Sequence, residues 1–197
     1  LQNTAILLMI SIAVTPAYRM RCWNLGAEGQ VLAGALSAAA CILFLPQTMA
    51  PTAVIAVTLI ASVAAGALWA AVPAFFKSRW NTNETLFTLM MNYVATQLVA
   101  YYVKIWENPK GSNTVGVINQ KTQFGWLPQV YNKQLLVVIV AVVLTAAAYV
   151  YLRYSKHGYE ISVVGESERT ARYIGINVRR VIMRTMVLSG AVSGLVG

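Results

Sequence analysis

Uncharged stretches long enough to cross a bilayer dominate this sequence. Residues 1–18 carry no charge before Arg19, residues 29–76 form a 48-residue tract with none, and residues 85–103, 134–152 and 185–197 repeat the pattern. At 1.5 Å rise per residue, a helix needs about 20 apolar residues to traverse roughly 30 Å of hydrocarbon. The 48-residue tract is too long for one span and divides at the turn between Pro46 and Pro51. The expected fold is therefore an all-α, polytopic transmembrane helical bundle in one domain over residues 1–197. Five spans and the start of a sixth are expected, at about 1–18, 26–45, 52–76, 84–103, 134–152 and 185–197. The chain opens on Leu1 rather than Met and stops at Gly197 inside an apolar stretch, so a fragment with at least one further span beyond it is the expectation.

Composition decides what the charges can be for. Only 11% of residues are charged, against about 25% in soluble domains, yet 15 Lys and Arg stand against six acids, all Glu, for a net charge of +9. Nucleic-acid modules spread such charge over a polar, solvated face, whereas here apolar tracts carry most of the chain, and an anionic lipid surface fits instead. One His (His157), no Asp and two distant cysteines (Cys22 and Cys41) leave no metal site and no C-x-x-C motif. Both cysteines are expected as free thiols.

Lys and Arg also set the orientation, because short basic loops stay cytoplasmic. Arg19, Arg21, Lys77, Arg79, Arg153, Lys156, Arg169, Arg172, Arg179, Arg180 and Arg184 fall in one set of alternating loops; only Lys104, Lys110, Lys121 and Lys133 fall in the other. Residues 153–184 are thereby read as a cytoplasmic loop and residues 104–133 as an external one, a solvated connector with Trp106, Trp126 and Tyr131 at the interface. Lipid supplies no water-exclusion force between helices, so small residues must let backbones approach. Ala61/Ala65, Gly66/Ala70, Ala67/Ala71, Gly34/Ala38 and Gly190/Gly194 supply pairs four apart.

Three polar segments interrupt the apolar pattern. Asn24-Leu-Gly-Ala-Glu-Gly-Gln30 places Asn24, Glu28 and Gln30 beside Gly26 and Gly29. Two readings fit it: a broken helix start lining a solute path, or a Glu28 at headgroup level facing free amides of a helix N-terminus. Glu84, Thr88 and Asn92 recur every four residues and share one helix face, which can present hydrogen-bonding groups to a polar solute or bond neighbouring helices. Phe87, Tyr93, Tyr101 and Tyr102 are read as packing in preference to stacking on a solute. Finally, residues 165–175 read as a short helix capped by Ser167, begun by Glu168 and ended by Gly175.

Taken in order, Asn24–Gln30, Asn83-Glu-Thr-Leu-Phe-Thr-Leu-Met-Met-Asn-Tyr93, Gly165-Glu-Ser-Glu-Arg-Thr-Ala-Arg-Tyr-Ile-Gly-Ile-Asn177 and Leu188-Ser-Gly-Ala-Val-Ser-Gly-Leu195 resemble the permease subunits of bacterial ATP-binding cassette importers. The nucleoside and simple-sugar branch, related to the branched-chain amino acid permeases, is the nearest. The resemblance covers nearly the whole chain and implies a permease of roughly eight to ten helices in the cell membrane. It implies as partners a second permease subunit, cytoplasmic ATPase subunits and an extracytoplasmic solute-binding protein. It also implies that Gly165, Glu166, Ala171, Arg172, Tyr173, Gly175 and Ile176 belong to a coupling helix docking on the ATPase; Ser167-Glu-Arg-Thr-Ala171 departs from the Asn-Pro-Glu-Ala-Ala of relatives. The candidate solute path is Asn24, Glu28, Gln30, Glu84, Thr88 and Asn92.

No G-x-x-x-x-G-K-[ST] phosphate loop is present, so no cofactor is expected and ATP is expected on a partner subunit. A branched-chain amino acid permease, or a secondary transporter or channel without ATP coupling, fits the apolar pattern equally. An intramembrane enzyme does not: no aspartate dyad or His-based triad can be assembled, and Ser189 and Ser193 have no visible base.

Overall fold

The computed structural model describes residues 2–45, 49–119 and 135–197, and every regular element among them is an α-helix. In chain order these are α1 (Gln2–Arg19), α2 (Ala27–Phe44), α3 (Pro51–Trp80), α4 (Glu84–Ile105), α5 (Leu135–Tyr154), α6 (Lys156–Glu166), α7 (Glu168–Tyr173) and α8 (Val178–Val196). The division of the long uncharged tract holds, with α2 stopping at Phe44 and α3 starting on Pro51, where a missing N–H goes unnoticed. Residues 46–48 of that turn, and Lys121, Trp126, Tyr131 and Lys133 of the expected external loop, lie outside the described residues.

Helices α2, α3, α4 and α5 are long and apolar enough to cross a membrane. The other two expected spans fall short on that measure: α1 opens on Gln2 and Asn3 and closes on Arg19, and α8 carries Arg179, Arg180 and Arg184 in its first two turns. The spans run past their expected ends, α3 to Trp80 and α4 to Ile105. Large apolar side chains such as Leu68, Met90, Val142 and Val150 point outward, and α5 buries only Ala141. A surface this greasy belongs in lipid, and the protein is membrane-integral.

At the centre stands α8, packed against α3, α1 and α2, with α4 outside α2 and α5 outside α1. Glycine makes the central crossing possible. A Cβ on Gly34 would strike the backbone of Gly194, one on Gly66 the Gly190 carbonyl and the Gly194 Cα, and one on Gly194 the Ser62 carbonyl. Three backbones are thus in van der Waals contact, where dispersion and weak C–H···O contacts replace the water-driven term. By contrast, Ala61, Ala65, Ala67 and Ala71 stay partly exposed.

The segment expected as a loop with one short helix, residues 153–184, is mostly helical, carrying α6, α7 and the start of α8. Ser155 caps α6 by accepting from the Gly158 N–H at 2.9 Å, and Gly158 abuts the Leu152 carbonyl, so α5 turns sharply into α6. Ile161, Val164, Ala171, Val178, Val181, Ile182 and Met186 then form a small core with Ala17, Met20 and Cys22 at the end of α1 and with Ala74 of α3. Cys22 and Cys41 are free. Burial pushes the Cys22 thiol up to about 12, helped by Glu84 and opposed by Lys77. Phe44 and Trp106 meet at the opposite end of the bundle.

Candidate functional site

Two places gather the residues singled out from the sequence. In the first, a polar brace closes the irregular link between α1 and α2. After α1 the chain reverses through Arg21 at φ 57° and runs inward to Asn24, which is fully buried. Asn24 Oδ1 accepts from the Gly26 N–H at 3.1 Å and from Gln30 Nε2 at 3.2 Å, while its Nδ2 donates to Ser189 Oγ at 3.1 Å. One amide thereby ties the link to α2 and to α8.

The first turn of α2 lacks a cap of its own, since Gly26 stands at the capping position and offers no side chain. A helix start leaves four N–H groups without intrahelical acceptors, and one of them is met from another helix: Asn92 Oδ1 of α4 accepts from the Gly29 N–H at 2.9 Å. Its Nδ2 donates to the Leu25 carbonyl at 2.8 Å. Gly29 is what admits Asn92, because a Cβ there would lie 3.2 Å from the Asn92 Cα and 2.9 Å from its Oδ1. Gly26 similarly accommodates Thr88, whose Cβ would sit 3.0 Å from an added methyl. Thr88 turns its hydroxyl back to the Glu84 carbonyl at 2.8 Å.

Of the six expected path residues, Asn24, Gln30, Thr88 and Asn92 come together, buried, in this brace. Glu28 and Glu84 stand apart from it. Glu28 is exposed in the first turn of α2, where a carboxylate suits the positive end of the helix. Glu84 begins α4 and pairs with Lys77 Nζ of the last turn of α3 at 2.8 Å, while Asn83 caps α4 by accepting from the N–H groups of Thr85 and Leu86.

Sequence reasoning missed the α8 side of the brace. Thr185, Ser189 and Ser193 are all buried, and the hydroxyls of Thr185 and Ser193 and the Oε1 of Gln30 have no hydrogen-bond partner among the described residues. Their spacing of four was the available signal. Beside the brace, a cavity of about 630 Å³ opens between α2, α3 and α4, lined mainly by apolar groups such as Leu36, Leu68, Trp69, Leu98 and Tyr102. None of the expected path residues lines it. Phe87 stacks on Phe76 at 5.0 Å, and Tyr101 and Tyr102 meet edge-on at 5.6 Å; Tyr101 and Tyr93 are largely exposed.

The second place is the α6–α7 segment. The expected short helix is α7, Glu168–Tyr173, begun by Glu168, while Gly165 and Glu166 belong to the end of α6. Ser167 separates the two in extended backbone and caps α7 by accepting from the Thr170 N–H at 3.3 Å. Arg172 reaches Glu168 at 3.4 Å, one turn back. At the far end the Ile176 N–H bonds the Ala171 carbonyl at 2.9 Å and the Gly175 N–H the Arg172 carbonyl at 3.1 Å. With Gly175 at φ 84° this is a Schellman cap, whose left-handed residue favours glycine.

Anchorage and exposure are sharply divided along this segment. Gly165 is buried with its Cα against the Arg19 carbonyl, Ala171 is fully buried, and Ile176 packs on the same core. Glu166 and Arg172 are exposed, and Tyr173 is 92% exposed, followed by Ile174 at 55%. A short helix is thus fixed to the ends of α1, α3 and α8 on one side and offers an aromatic and an aliphatic side chain to the surroundings on the other.

Over residues 1–197 the chain matches the family described as branched-chain amino acid transport system / permease component. It is 31% identical over 96% of its length to the guanosine ABC transporter permease protein NupP of Bacillus subtilis, covering 55% of that protein. It is 28% identical to the glucose ABC transporter permease protein TsgB13 of Haloferax volcanii, with 97% of this chain and 53% of that one aligned. The nucleoside ABC transporter permease protein NupB of Lactococcus lactis is 24% identical over the whole chain and 56% of its own length. The chain spans about half the length of these curated relatives. No solved structure matches it.

Proposed function

Since the chain belongs to the family of branched-chain amino acid transport system permease components, we propose that it works as the transmembrane permease subunit of an ATP-binding cassette importer in the cell membrane, carrying a nucleoside or a simple sugar. The likeness to the guanosine permease across nearly the whole chain carries the choice of solute class. Helices α1 to α5 serve as five spans and α8 as the start of a sixth, and the end bearing Arg19, Lys77 and residues 153–184 faces the cytoplasm, as the basic residues favour. Its partners are a second permease subunit, cytoplasmic ATPase subunits that bind the ATP, and an extracytoplasmic solute-binding protein or lipoprotein.

The α6–α7 segment acts as the coupling element. Gly165, Ala171 and Ile176 hold it to the bundle, Gly175 fixes its end, and Glu166, Arg172 and Tyr173 meet the ATPase. Closure of the ATPase pair pushes on α7, and because α7 shares one packed core with α1, α3 and α8, the push reaches the spans as a rigid displacement. Asn24, Gln30, Thr88 and Asn92 keep the α1–α2 link and α4 moving as one body, while Glu28 and Glu84 flank the path itself. Alternating access then follows from rocking of packed helices about the glycine crossing.

The family description favours a second solute class, branched-chain amino acids. Vesicles holding the full-length permease, its ATPase and its solute-binding protein discriminate them: uptake of labelled guanosine or glucose, ATP-dependent and not competed by leucine, is expected. Leucine uptake would reassign the solute, and uptake indifferent to ATP would remove the importer reading.

A further inference from the structure

We propose that the concave surface between α6 and the start of α8 is a binding site for a phosphate-bearing anion. A cavity of about 480 Å³ opens there, lined by Lys156, His157, Glu160, Asn177, Arg180 and Arg184, with the backbone of Ile174 to Ile176 forming its rim. Lys156 and Glu160 of α6, one turn apart, share it with Arg180 and Arg184 of α8, so three cations line it against one carboxylate. The ion pairs found among the described residues are Lys77–Glu84 and Arg172–Glu168, so Lys156, Arg180 and Arg184 have no acidic partner within 4 Å and Glu160 neutralises none of them directly.

The placement of the arginines sharpens the point. Arg180 and Arg184 lie one turn apart on α8, a like-charge spacing that destabilises a helix, and Arg180 belongs to the first turn, where the helix dipole already presents positive charge. Both effects reverse when an anion sits between the side chains. The His157 ring lines the cavity as well, its Nδ1 lying 2.8 Å from the Tyr151 hydroxyl. At the rim, a side chain built on Gly175 would meet nothing within 4 Å, so the mouth of the cavity is unobstructed. Guanidinium forks bind phosphate oxygens two at a time, and two of them line the cavity.

The site lies where α5 leaves its apolar run and α6 begins, at the level where headgroups meet a spanning helix. Two phosphate sources reach such a level: the headgroup of an anionic phospholipid and a soluble phosphate. The site does not depend on the importer reading, since the charge and the cavity belong to this chain alone.

The test is thermal unfolding of the full-length permease in nanodiscs of phosphatidylcholine, with phosphatidylglycerol added in one arm and inorganic phosphate titrated at constant ionic strength in the other. A melting temperature raised in either arm, with an apparent affinity about tenfold weaker for each arginine removed in R180Q and R184Q, is the expected result, and the responding arm names the source. An R79Q/R179Q variant, which loses the same charge outside the cavity, should keep the full response. Should R180Q/R184Q fail to fold, K156Q with native mass spectrometry of retained phosphatidylglycerol reads the same contact. Equal responses in pocket and control variants, or stabilisation by the ATPase subunit with neither phosphate source effective, overturn the proposal.

Discussion

Asn92 does from a neighbouring helix what a serine or aspartate does at most helix starts. It meets the Gly29 N–H and the Leu25 carbonyl together, so Asn92→Leu strands a buried donor and a part-buried acceptor while removing no bulk. Each stranded group costs about 1–3 kcal/mol, and a melting temperature lowered by several degrees in the full-length permease is expected. A variant that melts with the wild type would show that the brace is idle. His157 supplies a pH signal of a different kind. Burial first, and Arg184 second, hold its imidazole below the ordinary value, against the opposing pull of Glu160 and the Val181 carbonyl; the Tyr151 hydroxyl faces it from α5. A histidine depressed on folding binds its proton more readily unfolded, so its contribution is fully present above about 6.5 and fades as pH falls below that value toward the folded one. H157Q should therefore flatten the acid side of the stability profile relative to wild type, as read by melts across a pH series, and an unchanged slope would contradict this.

At the level of elements, α7 is the unit whose ends are fixed most explicitly. Ser167 caps it and Gly175, at φ 84°, closes it. A β-branched residue at Gly175 is strained by about 1–2 kcal/mol in that conformation, whereas asparagine adopts it more readily. Gly175→Val should thus leave ATP hydrolysis by the assembled transporter running while uptake per ATP falls, with Gly175→Asn close to wild type, measured as paired hydrolysis and uptake rates. Equal uptake per ATP in all three would mean that α7 transmits nothing. These caps were legible in the sequence because they are local, written within three residues of the helix they bound. Helix α6 was not, because Lys156–Glu166 is neither long nor strongly apolar, and Ile161 and Val164 find their burial against α1 and α8, far away in the chain. Nor could spacing reveal that Asn24 would bond Ser189, 165 residues on.

For the whole molecule, the sequence predicted an apolar helical bundle correctly since its uncharged tracts and the turn ahead of Pro51 mark four spans directly. The arrangement of those spans was less accessible. Small residues four apart are frequent in alanine-rich helices, and only the structure separates the glycines that meet at the crossing of α2, α3 and α8 from the alanines that do not. That crossing and the core beneath α7 make one connected body, reaching from the exposed Tyr173 to the middle of the bundle. Whether a motor grips that body at Tyr173 can be read by placing a photo-crosslinking phenylalanine analogue at position 173 of the full-length permease in native membranes. An adduct with the cytoplasmic ATPase is predicted; no ATPase adduct, together with labelling of the same position by an impermeant reagent from outside the cell, would contradict both the orientation and the coupling.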